Sequence, residues 1–277
     1  MKPLDIRSPN DAVQIKAGDG RSVELWLNRP DRMNALSREM VSAVRDVVRQ
    51  AVEQKAGVVV LRAHGRAFCA GADLKQRATM TEQERYAHNR AISALADELA
   101  AVPVPTIAVI HGAALGGGLE ISLACDIRLS AEEAMIGLTE ARLGAIPGAG
   151  GTQRLPRLIG KSQALYLMYA GEPVTGRRAA DIGMVNLAVP ADELGKVADT
   201  YVATLATRSL DCAMKLKDVV ARGCMLPLDE GLECEHQALL SIFGSADYLE
   251  GIAAFAEKRP PRFPSLGYSD HGRDTDR

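Results

Sequence analysis

Apolar positions along the chain follow two spacings in turn, one of period two and one of helical period. Residues 12–17 and 22–28 are short β-favouring runs on either side of Gly18-Asp19-Gly20, which predicts a hairpin. Ser37 is placed to cap a helix running to about Gln54, because Met40, Val41, Val44, Val47, Val48, Ala51 and Val52 share one helical stripe. Gly57 closes it, and Val58-Val59-Val60-Leu61 reads as a buried strand. Thr81 with Glu84 three residues on has the capping-box spacing and opens a helix to Ala101. Residues 106–110 and 127–130 are two further buried strands, with a helix over residues 117–124 between them. Strands separated by helices indicate an α/β domain with parallel pairings. After about residue 190 strand signals disappear. Residues 191–206, 210–222, 228–243 and 246–258 all read as helices whose apolar stripes need covering, by the core or by a partner subunit. The polar segment 265–277 is expected to be disordered, and no internal sequence repeat is evident.

Composition narrows the class. With 277 residues, 47% of them hydrophobic, and a net charge of −2, the chain can bury a full core and lacks the basic excess that nucleic-acid binding needs. Its cysteines (69, 125, 212, 224 and 234) are odd in number and form no CxxC pair. Residues 1–10 already hold Lys2, Asp5 and Arg7, which is unlike a secretory apolar region. Reduced thiols and a cytoplasmic location are the expectation. Residues 99–119 contain no Lys, Arg, Asp or Glu, but Pro103, Pro105, His111, Gly112 and Gly116-Gly117-Gly118 break any span, so no membrane segment is expected.

Two glycine-rich loops, residues 65–75 and 111–120, each follow a buried strand. A helix starting at the triple glycine aims free N–H groups at its entrance, and amides from two such loops can converge on one oxygen that gains negative charge. Taken alone, a glycine cluster before a helix is more often a tight packing turn. Glu120 lies about a turn into that helix. Glu140 sits at an apparent helix start capped by Thr139. Both have apolar neighbours, which disfavour ionisation and suit one carboxyl to activate water and the other to move a proton. A salt bridge for Glu120 and a helix-dipole role for Glu140 remain the plainer alternatives. The third glycine loop, residues 146–155, lacks the Gly-x-Gly-x-x-Gly spacing, so a dinucleotide fold is not supported. Neither a phosphate loop nor a Gly-x-Ser-x-Gly elbow is present. The histidines (64, 88, 111, 236 and 271) show no ligand spacing, so no metal is expected, and His111 reads as a satisfied core residue.

Taken in order, Asn28-Arg29-Pro30 through Asn34-Ala35-Leu36-Ser37, Phe68 to Lys75, Gly112 to Glu120, Ile146 to Leu155 and Ala254 to Arg262 resemble the crotonase (enoyl-CoA hydratase/isomerase) superfamily, over roughly residues 13–263. The resemblance implies an α/β fold, a crotonase-like spiral of ββα units over residues 1–200. It also implies a C-terminal helical oligomerisation region at 201–263 that builds homotrimers, usually paired into hexamers, with a tail at 264–277. It implies an acyl-CoA thioester as substrate and no separate cofactor, coenzyme A being part of the substrate. By position the amides of Ala72 and Gly117 correspond to the family's oxyanion hole, and Ala35, Ala70, Ala72, Asp73, Leu74 and Lys75 to its adenine and pantetheine track. Gly116, Pro147 and Gly148 belong along the substrate too. Lys258 and Arg259 reach the phosphates, in the same or a neighbouring subunit, unless they are simply the cationic end of a helix stopped by Pro260.

Family chemistry diverges at the positions of Glu120 and Glu140. Hydratases resemble this chain in carrying glutamate at both, many isomerases keep one, and dehalogenases carry an aspartate nucleophile elsewhere. The implied reaction is hydration of a 2-enoyl-CoA, with Δ3–Δ2 isomerisation and hydration of 3-methylglutaconyl-CoA as alternatives. The acyl pocket is expected around residues 76–90 and Leu143. Some relatives also bind AU-rich RNA through a lysine-rich first helix. Here Arg38, Arg45, Arg49 and Lys55 alternate with Glu39, Asp46 and Glu53, which cancels much of the field a phosphate would feel.

Overall fold

Runs of Val, Ile and Leu that are buried on both faces need helices on either side of the sheet they form. A computed structural model, describing residues 4–18 and 21–267, shows how the chain supplies them. The hairpin of β1 (Val13–Ala17) and β2 (Ser22–Leu27) is antiparallel; the tip of its turn, Asp19-Gly20, lies outside the described residues. Ser37 Oγ accepts from the Met40 N–H and opens α1 (Arg38–Glu53), whose stripe is buried from Met40 to Ala51. Val52, expected on that stripe, is 40% exposed, because it falls on the solvent edge of the last turn. Next come β3 (Val58–Ala63), buried throughout, the short β4 (Ala67–Cys69), α2 (Leu74–Ala78) and α3 (Glu82–Ala101). In α3 both halves of the capping box form: the Glu84 N–H donates to Thr81 Oγ1 at 3.3 Å and the Thr81 N–H to Glu84 Oε2 at 2.9 Å.

The uncharged stretch from Leu99 becomes the end of α3, then β5 (Thr106–Ile110), β6 (Ala113–Leu115) and α4 (Gly117–Leu123). After β7 (Ile127–Ala131) and β8 (Met135–Gly137), Glu140–Leu143 is a 3-10 turn rather than the expected α-helix, and Thr139 makes no side-chain cap. The chain continues through α5 (Gly151–Ile159), α6 (Lys161–Ala170), β9 (Val174–Thr175), α7 (Gly176–Asp181) and β10 (Leu187–Val189).

Two sheets result. The larger has the order β1-β2-β3-β5-β7-β10, parallel except for β1; the smaller has the order β4-β6-β8-β9, with β9 antiparallel. Each of β3/β4, β5/β6 and β7/β8 sends its first strand into the larger sheet and its second into the smaller, and a helical segment follows. That is the winding of successive ββα units, a repeat carried by topology with no matching repeat of side chains.

Four helices end the described chain: α8 (Ala191–Ala206), α9 (Leu210–Gly223), α10 (Leu228–Phe243) and α11 (Ala246–Ala256). The expected division at residue 200 falls inside α8. No single helix among the described residues is long and apolar enough to cross a membrane; α10 and α11 reach that length only jointly, across a 70° bend. Pro264–Leu266, placed within the expected tail, forms a 3-10 turn, and residues 268–277 of that tail lie outside the described residues. The cause of the turn is Asp247, 3% exposed, whose carboxylate accepts from Ser209 Oγ, Ser265 Oγ and the Ser265 N–H. Replacing a buried acceptor strands its donors. Asp247→Ala should therefore lower unfolding stability by about 2–3 kcal/mol in urea titrations.

Candidate active site

Glycine lets two loops touch. Gly71 has φ +89°, and a methyl built on it would lie 2.7 Å from the Leu115 carbonyl and 3.2 Å from the Gly117 nitrogen. Gly118 packs so closely on the Cys69 carbonyl that any side chain would collide with it. Leu36 fixes the first loop: its N–H donates to Gly71 O at 2.8 Å and its carbonyl accepts from the Asp73 N–H at 3.2 Å. That parallel bridge uses the groups on either side of Ala72 and leaves the Ala72 N–H facing away. On the second loop, Gly116 (φ 49°) turns the chain into α4, so Gly117 is the first helical residue and its N–H has no intrahelical acceptor. A methyl built on Gly117 would sit 3.6 Å from the Ala72 nitrogen. Two unpaired amides, 45 residues apart in sequence, thus border one small space.

The glutamates lie beside it. Glu120, 3% exposed, is the fourth residue of α4, and its Oε1 accepts from the N–H groups of Ala149 at 2.7 Å and Gly151 at 2.8 Å. Burial raises its proton affinity above the ordinary carboxylate range, while these loop amides and Arg154 pull the other way. Glu140 reaches over Gly116, where a methyl would lie 2.8 Å from its Oε1. Its Oε2 is buried with no hydrogen-bond partner. Burial pushes the Glu140 carboxyl up to about 7, with the Glu120 charge adding to the rise and the Arg77 guanidinium opposing it. The amide pair and the carboxyl pair predicted from sequence therefore meet at one place.

The other predicted residues fall around the first loop, with differing freedom. Ala35 is buried and its carbonyl accepts from Arg29 Nη1 at 2.8 Å; the Ala70 N–H donates to Met33 O. Asp73 is committed inside the protein: Arg29 contacts its Oδ2 twice, at 3.0 and 3.1 Å, and its Oδ1 caps α2 at Gln76. Burial opposes its ionisation, but the Gln76 amide and Arg29 outweigh that and hold its carboxyl below the usual range. Leu74 and Lys75 are exposed. Gly116 and Pro147 are buried against the glutamates, and the Gly148 carbonyl accepts from Asn89 Nδ2. Arg259 is held by Glu250 through both terminal nitrogens and by Glu257, as the cationic end of α11; Lys258, exposed, ends that helix with φ 55°. His111 is only half-buried but is satisfied, its Nε2 lying 2.8 Å from Gly65 O.

Sequence reasoning did not single out Arg77, His88 or Asn89. They lie within the 76–90 window assigned to the acyl pocket, but no spacing marks them. A cleft of about 260 Å³ between α1 and α3 is lined by Arg38, Arg45, Arg49 and His88. Its arginines are paired, with Glu84, with Glu98, and with Asp46 and Glu98 respectively. Among the described residues no group of three His, Cys, Asp or Glu is placed to hold a metal ion.

Comparison with known proteins identifies relatives of the whole chain. A sequence model described as enoyl-CoA hydratase/isomerase matches residues 21–265. The mouse (Mus musculus) protein named enoyl-CoA hydratase domain-containing protein 2, mitochondrial, is 40% identical, over 93% of this chain and 89% of its own. Human methylglutaconyl-CoA hydratase, mitochondrial, is 39% identical, over 87% of this chain and 73% of its own. A crystal structure of an enoyl-CoA hydratase from Bacillus anthracis superposes with a TM-score of 0.90 at 38% identity, over 92% of this chain and 99% of that one.

A carboxyl whose folded pKa is raised binds its proton more tightly folded than unfolded, so its ionisation works against the fold. For Glu140 that cost sets in as pH rises above its ordinary value of 4.5 and is complete once pH passes about 7. Glu140→Gln should therefore melt higher than the unmodified chain at pH 8. The difference should shrink as pH falls from 7 towards 4.5, as read by differential scanning calorimetry.

Proposed function

The chain belongs to the enoyl-CoA hydratase/isomerase family, and from that membership and its paired carboxyls we propose that it adds water reversibly across the 2,3 double bond of a 2-enoyl-CoA. The observation that carries the reading is the asymmetry of the pair beside two free amides. Glu120 has one oxygen tethered by two N–H donors, whereas Glu140 has a buried oxygen with no partner. Tethering suits Glu120 to the carboxylate form that takes a proton from water. A carboxyl pushed up to about 7 suits Glu140 to hold a proton near neutral pH and give it away.

In this scheme the thioester oxygen accepts from the Ala72 and Gly117 N–H groups. Water, losing a proton to Glu120, bonds through oxygen to C3. The π electrons move towards C2 and the thioester, and the enolate oxygen gains charge where the two donors already point, so the amides bind the transition state more strongly than the substrate. Glu140 then protonates C2. The proton left on Glu120 must return to Glu140 before the next turnover, which makes the carboxyls one coupled unit. The polar track for the coenzyme is the exposed edge at Leu74 and Lys75, with the backbone of Ala35, Ala70 and Asp73 behind it. Arg259 reaches a phosphate only if its pairing with Glu250 is exchanged, and Lys258 is the freer cation.

Isomerisation between Δ3 and Δ2 enoyl-CoA would need one mobile proton and no bound water, which leaves the tethered Glu120 without a task. For the acyl group, 3-methylglutaconyl-CoA is one candidate on the name of the human relative. Loss of enoyl-thioester absorbance with crotonyl-CoA and 3-methylglutaconyl-CoA, set against product from a 3-enoyl-CoA, tests the reaction. Glu120→Gln should lower hydration at least ~100-fold; a wild-type rate would sink the assignment.

Assembly is part of the same reading. Neither α9 nor α10 has a buried residue, and Leu216, Val220, Leu228, Leu239, Leu240 and Phe243 are all exposed on them. Apolar surface on that scale is covered in a working protein. A homotrimer, or two trimers paired, is the expected cover. Light scattering should give three or six times 29.6 kDa, and a monomeric mass at micromolar concentration would rule this out.

A further inference from the structure

Three side chains outside the glutamate pair join the two halves of the site. Arg77, half-buried on α2, directs Nη2 to Asn89 Oδ1 at 3.2 Å and Nε to His88 Nδ1 at 3.3 Å. The acceptors are consecutive residues of α3. Asn89 is used at both ends, because its Nδ2 donates to Gly148 O at 2.9 Å. Gly148 opens the loop whose Ala149 and Gly151 amides hold Glu120. A side chain at position 148 would run into the Asn89 amide, 2.5 Å from where its Cβ would lie. His88 is 3% exposed. Since Nδ1 accepts from Arg77, the ring proton belongs on the buried Nε2. That nitrogen has no hydrogen-bond partner; the tie to the oxyanion strand is α2 itself, capped by Asp73, whose N–H donates to the Leu36 carbonyl beside the Ala72 amide.

We propose that Arg77, His88 and Asn89 are positioning residues that lock the oxyanion strand to the Glu120 loop, and that the Arg77 charge sets the proton balance between Glu120 and Glu140. The assignment rests on the hydration reading given above. Neither a glycine loop nor a three-residue strand bridge is stiff by itself, and a misplacement of about 1 Å between donors and base costs about 100-fold in rate. One guanidinium tied to both sides removes that freedom.

Charged groups from two helices act on the pair, and the pair acts on itself. From α2, Arg77 acts on both glutamates; from α5, Arg154 acts on Glu120; and each glutamate acts on the other. His88 stays neutral, because burial and then the Arg77 charge hold its pKa below the ordinary imidazole value. A protonated ring would lose the acceptor that Arg77 Nε needs, so the lowered value preserves the lock through neutral pH. Backbone groups at Glu140 and Thr139 also oppose the rise, but removing the Arg77 charge takes away the one cation that does, so the Glu140 titration moves up.

The test uses the full chain with 13C-carboxyl-labelled glutamate. Titration of the unliganded protein is followed by NMR, with Glu120→Gln and Glu140→Gln to assign the two signals, beside pH profiles of turnover. Arg77→Gln should raise the Glu140 titration by about one pH unit. It should move the pH profile the same way and lower kcat ~10–100-fold, with KM within about threefold. Arg77→Lys should restore the titration but not the full kcat, since an ammonium cannot make the fork to His88 and Asn89. Asn89→Ala should lower kcat while Glu140 titrates as in the parent. An Arg77→Gln protein with parental titration overturns the proposal, as does an Asn89→Ala protein with parental kcat, which decides the matter if Arg77→Gln does not fold. The NMR arm needs no substrate. A shifted titration in a chain that hydrates no enoyl-CoA would sink the reaction and leave the lock standing, and an unshifted one in an active enzyme would sink the lock alone.

Discussion

Two backbone amides left without acceptors, pressed against each other by glycine, are the constraint on which the rest of the structure depends. An unpaired N–H in a dry place is costly, of the order of 1–3 kcal/mol each, and folding ordinarily avoids it. Here the avoidance is blocked by geometry. Leu36 takes the groups flanking Ala72, and α4 begins at Gly117, where no earlier carbonyl is in reach. The core makes this tolerable, with β3 and β5 buried throughout and α1 and α3 packed beside them. Under the proposed function, a thioester oxygen meets the polar need of the two amides.

The carboxyls show the same logic in electrostatic form. Two acids in one desolvated space cannot both ionise cheaply, and the protein divides them by supplying donors unequally. Glu120 receives two loop amides and the field of Arg154, whereas Glu140 receives the opposing field of Arg77 and leaves one oxygen unpartnered. Identical side chains therefore differ in proton affinity because of what their loops aim at them. The proposed hydration, which adds a proton at one carbon and water at the next, uses that difference.

Much of this was legible beforehand, for identifiable reasons. The α1 stripe, the Thr81–Glu84 capping box and the buried valine strand are local patterns, and local patterns determine local structure. The glycine clusters marked close approach, because few other residues permit it. What the chain hid was of another kind. The ββα repeat is a repeat of path, with β4, β6 and β8 only three residues long and alike in nothing but shape. Glu140 was read as a capped α-helix start, though the segment is a 3-10 turn, because a Thr-Glu step does not distinguish the two. The Asp73 carboxylate answers to Arg29, 44 residues earlier, a pairing no spacing rule predicts. Ser265 looked like tail until Asp247 was seen to hold it. Arg77, His88 and Asn89 were invisible for the same reason, since each matters through a partner distant in sequence.

The winding explains why the chemistry gathers where it does. Each ββα unit leaves the larger sheet, runs three residues in the smaller one and exits at a loop, and each exit delivers at least one part. The unit of β3 and β4 ends at the Ala72 amide, that of β5 and β6 at the Gly117 amide and Glu120, and that of β7 and β8 at Glu140. Because β4, β6 and β8 are neighbours in register, their exits are neighbours too, and parts far apart in sequence arrive within a few ångströms. Binding donors come from the first two units and the second acid from the third. In the proposed reaction, a change at the third exit therefore alters the proton chemistry without disturbing the hold on the thioester oxygen. A change at the first or second alters the hold itself, and with it any reaction that passes through an enolate.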